Sequence, residues 1–261
     1  MIHHKSKDYV YLISQPSHAW LSGQLARAWG NNNFKCFEPF SETCLAAEQH
    51  DIGWLDWSRN PQINKMTGTV YNFLEMPFQS HLDIWEKGSR WALTINKYAA
   101  LLISKHNTFL LGFHDFSNEP SINLKLSKTF QEKEQAFQDR IIDQLKADSA
   151  YADYVGEPWL IFNQKLIKVW DYFSLLLCMG FNESDVIEEV PVDFNSNTDL
   201  KLSYKSKNRY IVDPWPFKYE TFEVACETKK IPHDQYKSRD LLKRLANTPT
   251  EKRSFVITSD V

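Results

Sequence analysis

Residues 158–180 read PWLIFNQKLIKVWDYFSLLLCMG. Proline at the start and glycine at the end bracket an apolar-rich run, the punctuation of a helix. Proline's missing N–H costs nothing in a first helical turn, and glycine closes a last turn without strain. Asp171 interrupts this helix between Trp170 and Tyr172, with Val169, Phe173 and Leu175 close by. A carboxylate among such neighbours needs a partner. Even a neutral polar group buried unpaired costs roughly 2–7 kcal/mol, and a charge far more. No arginine lies nearby in sequence, so the partner comes from another segment. The fold expected from this stretch is mainly α: a helical bundle around Asp171.

Working outward, helical signals dominate the first 180 residues. From Pro16 to Trp29 the apolar Trp20, Leu21, Leu25, Ala28 and Trp29 recur every three to four residues before Gly30-Asn31. Ser41 caps a second helix running toward Trp57, and Pro77 begins a third. Asn96 caps a fourth, NKYAALLISKH. Ser127 opens a charged amphipathic helix to Ala147. Residues 8–14, DYVYLIS, read as a short strand, 59–76 as a long ordered loop, and 107–126 as irregular. After residue 190 the pattern alternates, in DLKLSYK, RYIVDPWPF, TFEVACETKKI and SFVIT. This predicts a small antiparallel β appendage at the C-terminus, α+β overall, which the 8–14 strand can join. The expected organisation is a helical metal-binding domain over 1–190 and a β-rich appendage over 191–261 packed on it.

Composition narrows the function classes. Net charge is −3 with scattered Lys and Arg, so no basic stripe argues for nucleic acid. Cys36, Cys44, Cys178 and Cys226 lie far apart, without the spacing of a thiolate zinc site or a disulfide framework. The polar start MIHHKSKDY lacks a signal peptide's apolar core, and the longest apolar run, FSLLLCMGF, is too short to span a membrane. A cytoplasmic protein without membrane attachment is expected.

Asp171 has company. His18 lies in the first turn of the first helix, His50 and Asp51 interrupt the second in AAEQHDIGWLDW (46–57), His81 begins the third, and His106 ends the fourth. Of the other histidines, His3 and His4 fall in the N-terminal tail, His233 in the β region, and His114 in a loop pair with Asp115. A lone helical histidine is commonly a core or surface residue. Imidazoles and carboxylates on separate helices instead suit one or two divalent transition metals, Fe, Mn, Ni, Co or Zn.

The order His, His-Asp, His, His, Asp resembles the HD-domain superfamily of metal-dependent phosphohydrolases and their di-iron oxygenase relatives. The resemblance covers roughly the first 180 residues and implies six metal ligands, His18, His50, Asp51, His81, His106 and Asp171, in a binuclear site. Over nearly its full length the chain is also similar to an uncharacterised bacterial family, through QPSHAWLSGQLARAWG, HDIGW, VWDYFSLLLC and DPWPF. One departure matters. Many HD enzymes read His-Asp-x-x-Lys, whereas Trp54 stands at the lysine position here. Trp54 offers a stacking wall, and Lys65 or Lys105 are candidates for the missing charge at the substrate.

The function expected is hydrolysis of a phosphate ester of a small molecule or nucleotide, with no catalytic residue assigned beyond the ligands. A di-iron oxygenase on a small polar substrate is the alternative. A non-catalytic scaffold, with the β region serving self-association, is the third reading. An exposed sheet edge would permit a homo-oligomer.

Overall fold

The computed structural model describes residues 1–117, 120–181, 183–206 and 208–259. In chain order the elements are β1 (Ile2–Lys5), β2 (Tyr9–Ile13), α1 (Gln15–Ala28), α2 (Phe40–Gln49), α3 (Leu55–Arg59), β3 (Ile63–Asn64), β4 (Thr69–Val70), α4 (Phe78–Leu93) and α5 (Lys97–Leu111). They continue with α6 (Ser121–Lys146), α7 (Trp159–Met179), β5 (Ser184–Pro191), β6 (Asn197–Ser206), β7 (Arg209–Asp213), β8 (Thr221–Pro232), α8 (Leu241–Asn247) and β9 (Thr250–Thr258).

A mainly helical bundle with a small C-terminal β appendage is not what forms. The strands build a seven-stranded, curled sheet in the order β1-β2-β8-β9-β7-β6-β5, a half-barrel, and β3 and β4 make a second, two-stranded sheet. The large sheet is mixed, because β7 runs parallel to β9 while its other neighbours pair antiparallel. Both ends of the chain contribute. β1 and β2 pair as Ile2↔Ile13, and β2 then pairs with β8 as Ile13↔Thr228. Strand pairing joins residues two hundred positions apart, whereas helical periodicity is local, so the sheet's extent is not legible in the local pattern. One apolar core runs through sheet and helices, from Ile2 in β1 through Trp170 and Phe173 in α7 to Phe255 and Ile257 in β9.

Local chemistry sets the helix ends. The Ser14 hydroxyl accepts from the Ser17 N–H to cap α1, and Asn96 accepts from Ala99 to cap α5. Gly180 (φ +76°) closes α7 in the left-handed region that favours glycine. The single helix expected through 41–57 is broken instead. α2 stops at Gln49, a 3₁₀ turn spans Ile52–Trp54, and α3 starts at Leu55. Gly53 explains the break: a Cβ there would lie 2.1 Å from the Ile84 carbonyl oxygen of α4. The turn therefore packs backbone to backbone on α4, as only glycine allows. Residues 59–76, read as loop, hold the β3–β4 hairpin. No helix among the described residues is long and apolar enough to cross a membrane.

Candidate metal centre

Five of the six predicted ligands converge in the helical layer, all of them buried. His18 comes from the first turn of α1, and His50 caps the C-terminus of α2. Asp51 follows in the bend before the 3₁₀ turn, His106 sits in α5, and Asp171 in mid α7. Two overlapping trios have geometry able to hold a cation: His18, His50 and Asp51, and His50, His106 and Asp171.

The separations are those of a coordination shell. His18 Nε2 lies 2.9 Å from Asp51 Oδ2, 3.3 Å from His50 Nε2 and 3.6 Å from Asp171 Oδ1. His50 Nε2 lies 3.7 Å from Asp51 Oδ2 and 3.4 Å from Asp171 Oδ1. Ligands at about 2.1 Å from one ion stand roughly 3.0 Å apart in an octahedron and roughly 3.4 Å apart in a tetrahedron. Asp171 turns its other oxygen, Oδ2, to His106 Nε2 at 3.2 Å. It is the carboxylate that faces both trios.

Hydrogen bonds outside the cluster orient the rings. The His50 Nδ1–H donates to the Ala47 carbonyl at 2.8 Å, which leaves its Nε2 lone pair pointing inward. Ser174 donates its proton to the Asp171 carbonyl and accepts from His18 Nδ1 at 2.7 Å. Two imidazole lone pairs thus face each other and two carboxylates in a water-poor interior. With His18 in that tautomer the arrangement is repulsive unless a cation lies among them; with the proton on Nε2, His18 instead donates to Asp51 Oδ2 at 2.9 Å. His106 is fully buried, and among the described residues neither ring nitrogen meets a partner with ideal hydrogen-bond geometry, its Nε2 lying 3.2 Å from Asp171 Oδ2. Its approach to Asp171 lacks hydrogen-bond geometry and so is not explained by one.

Without metal, a proton serves as the cation. Burial opposes charging His50, but the Asp51 and Asp171 carboxylates outweigh it and raise its pKa to about 9. Burial likewise opposes ionising the two aspartates. His50 and His18 nevertheless hold Asp51 below the ordinary carboxylate value, and His50 and His106 hold Asp171 well below it.

The remaining predicted residues divide. His81, on α4, belongs to neither trio. It is half-buried against Trp54 and Trp85, with ring centroids 5.2 and 4.3 Å away, and burial lowers its pKa to about 4. It lines the 210 Å³ cavity that opens onto the cluster, as does Trp54. The two lysines do not reach it. Lys65 is exposed in the β3–β4 turn. Lys105 precedes His106, so the helical rotation turns it outward, where it feels Asp139 and Glu157. Gln15, Phe73, Trp85, Leu110 and Leu175 complete the cavity wall. Leu175 and the orienting Ser174 stand four and three places beyond Asp171, a helical spacing already present in the sequence.

The comparisons with known proteins add a family and nothing on activity. A family model described as "Protein of unknown function (DUF3891)" matches residues 1–233, and the chain belongs to that family. No curated protein and no solved structure matches it.

Proposed function

We propose that this member of a family of unknown function is a metal-dependent hydrolase that cleaves a phosphate ester. The observation that carries the reading is the set of five separations, 2.9 to 3.7 Å, among four donor atoms of His18, His50, Asp51 and Asp171 at the floor of a cavity. The order of these residues also fits the HD-type pattern. His18, His50, Asp51 and Asp171 would hold a first ion, and His106 with Asp171 Oδ2 offers a position for a second. A bound divalent metal supplies Lewis acidity and lowers the pKa of water from 15.7 toward about 7.

The chain's own groups do the rest. His50 and His18 keep their lone pairs inward because Ala47 and Ser174 take the Nδ1 protons. Asp51 and Asp171 stay ionised, which fixes the charge of the shell. Trp54 and Trp85 narrow the cavity and exclude water. His81, neutral at physiological pH, can hydrogen-bond the leaving oxygen beside them. Water adds to phosphorus as the ester P–O bond breaks, and the alcohol departs with a proton.

A second reading rests on the donor set. Each trio is two histidines and one carboxylate, a pattern that also suits iron in oxygenases that use O2. Metal analysis of protein purified without chelator or affinity tag separates the two. Manganese, nickel, cobalt or zinc, with release of phosphate from an ester panel, supports hydrolysis; iron with oxygen uptake supports the oxygenase. Removing metal should also lower Tm by about 8–16 °C, if the ion is present near a thousand times its Kd and contributes about 4 kcal/mol. No metal uptake and no change of Tm would overturn both readings in favour of a scaffold.

A further inference from the structure

The metal cluster does not lie at the end of a closed pocket. Two larger cavities border the 210 Å³ space above it. One, of 430 Å³, shares Phe73, His81, Trp85 and Leu110 with that space and extends between Phe78 and Phe113. The other, of 540 Å³, shares Leu110, Leu175 and Asp171 itself and extends along α7 to Ile187 in β5. Leu110 borders all three.

The two arms differ in chemistry. The first is walled by aromatic and aliphatic side chains with two histidines and one asparagine. The second contains Lys168, the one Lys or Arg among the described residues lining the three cavities, with Tyr172 and the acidic Glu188 on the same wall. Lys168 stands three residues before Asp171, on the same face of α7. Its ammonium donates to the Glu188 carbonyl at 3.4 Å, and no described carboxylate forms an ion pair with it. A half-buried lysine whose ammonium reaches the solvent-exposed side of this arm with spare donors, on the wall that also holds Asp171, is placed to take an anion.

We propose that Lys168 binds the anionic group of the substrate, and that the aromatic arm takes its organic part. The substrate class is then a compact ester of an apolar or aromatic alcohol carrying a phosphate-like anion, and not a sugar phosphate. This rests on the metal-site reading and names the missing charge for it. Trp54 occupies the lysine position of the His-Asp-x-x-Lys pattern, and Lys168 stands on α7 one turn before Asp171, in the cavity that Asp171 also lines.

The test is calorimetric titration of the metal-loaded protein with phenylphosphonate, which cannot be hydrolysed at its P–C bond. Benzyl alcohol serves as the neutral control, and metal content is measured in parallel. Phenylphosphonate should bind, and Lys168→Met should weaken it about tenfold or more, as expected for loss of a charge-assisted hydrogen bond. Lys168→Arg should restore most of the affinity. Metal content and benzyl alcohol binding should not change in either variant. Equal affinity in wild type and Lys168→Met, or no binding to the loaded wild type, overturns the inference. Release of phosphate from phenyl phosphate is read separately. Lys168-dependent binding without hydrolysis would leave the anion site standing and sink the hydrolase. Hydrolysis with a KM indifferent to Lys168→Met would do the reverse.

Discussion

The helical layer buries two polar clusters, and they share a helix. Ser104 of α5 faces Glu134 of α6, while His106, two residues on, faces Asp171 of α7. The Glu134 cluster supplies its own counter-charge from Arg90, although Glu134 Oε1, like the His106 ring nitrogens, meets its partner without hydrogen-bond geometry. Glu134 is fully buried, accepts from Ser89 and Ser104 at 3.1 and 2.6 Å, and pairs with Arg90 at 2.8 Å. Gln138 donates to Ser104, and the Arg90 guanidinium stacks on Phe137 at 3.8 Å. That cluster carries its own cation, and its members line none of the three cavities described above. The His/Asp cluster has three imidazoles, two carboxylates, no Arg or Lys, and a cavity at its mouth. The first charge is compensated from within the chain; the second cluster, with no Lys or Arg among its described members, is the candidate for compensation from outside.

The largest effect should separate the clusters outright. Asp171→Ala removes the carboxylate of the second trio, which also lies 3.6 Å from His18 of the first, so metal content should fall from one or more ions per chain to none and activity with it. Asp171→Asn, nearly isosteric, guards against misfolding and should lose metal as well. Folded variants that keep full metal content would end the assignment. Arg90→Met should do the opposite. It leaves Glu134 buried without its cation, which costs about 3–5 kcal/mol of stability by denaturant titration. Metal content per folded chain should stay unchanged. A loss of metal in Arg90→Met would show that the two clusters are one network.

How far the sequence reveals this contrast depends on the range of each signal. Asp171 stands out because the apolar pattern of α7 is local and strong. His18 and His106 stand out for the same reason on α1 and α5. The histidine of α4 gives an identical local signal, yet His81 stops at the cavity wall, because its distance from the others is set by how α4 packs on Gly53. The bend that places Asp51 was hidden too. The apolar period continues through Ile52, Trp54 and Leu55, and a glycine inside it does not announce that its missing Cβ faces a backbone carbonyl. β1 is not legible in the sequence, because IHHK looks like a polar tail until Ile2 is paired with Ile13. Lys168 lay in plain view one turn before Asp171, but its role needs the cavity, which only the packing of α5, α7 and β5 creates.

A smaller effect sharpens the idea that a proton stands in for the metal. In the metal-free protein the folded pKa of His50 is about 9, above its unfolded value of 6.5. Its contribution to stability is therefore fully present below pH 6.5 and is lost as pH rises through about 9. The loss should amount to about 3 kcal/mol. The Met1 amine, lowered to about 6 by burial, works in the opposite sense between pH 6 and 8. The quantity to measure is thus the difference between wild type and His50→Asn, by denaturation in chelator at pH 6 and pH 9.5. That difference should shrink with pH, and one independent of pH would refute the imidazolium.

The smallest change tests whether the rings are aimed before any ion arrives. Ser174→Ala removes the acceptor that holds His18 Nδ1 and frees the neighbouring Ser22 hydroxyl, 2.8 Å away, from that contact. No ligand is lost and no large cavity forms, so stability should fall by only about 1–2 kcal/mol. Metal affinity should fall about 10- to 100-fold, because the ring then loses the bond that fixes its tautomer and orientation. The same substitution at Ser89, which serves Glu134, should cost similar stability and leave metal affinity alone. Two serines, each giving one hydroxyl to a buried cluster, would then differ only in what the cluster is for. Equal metal affinity in Ser174→Ala and wild type would mean that His18 is oriented by the ion itself, and that the site is assembled on binding.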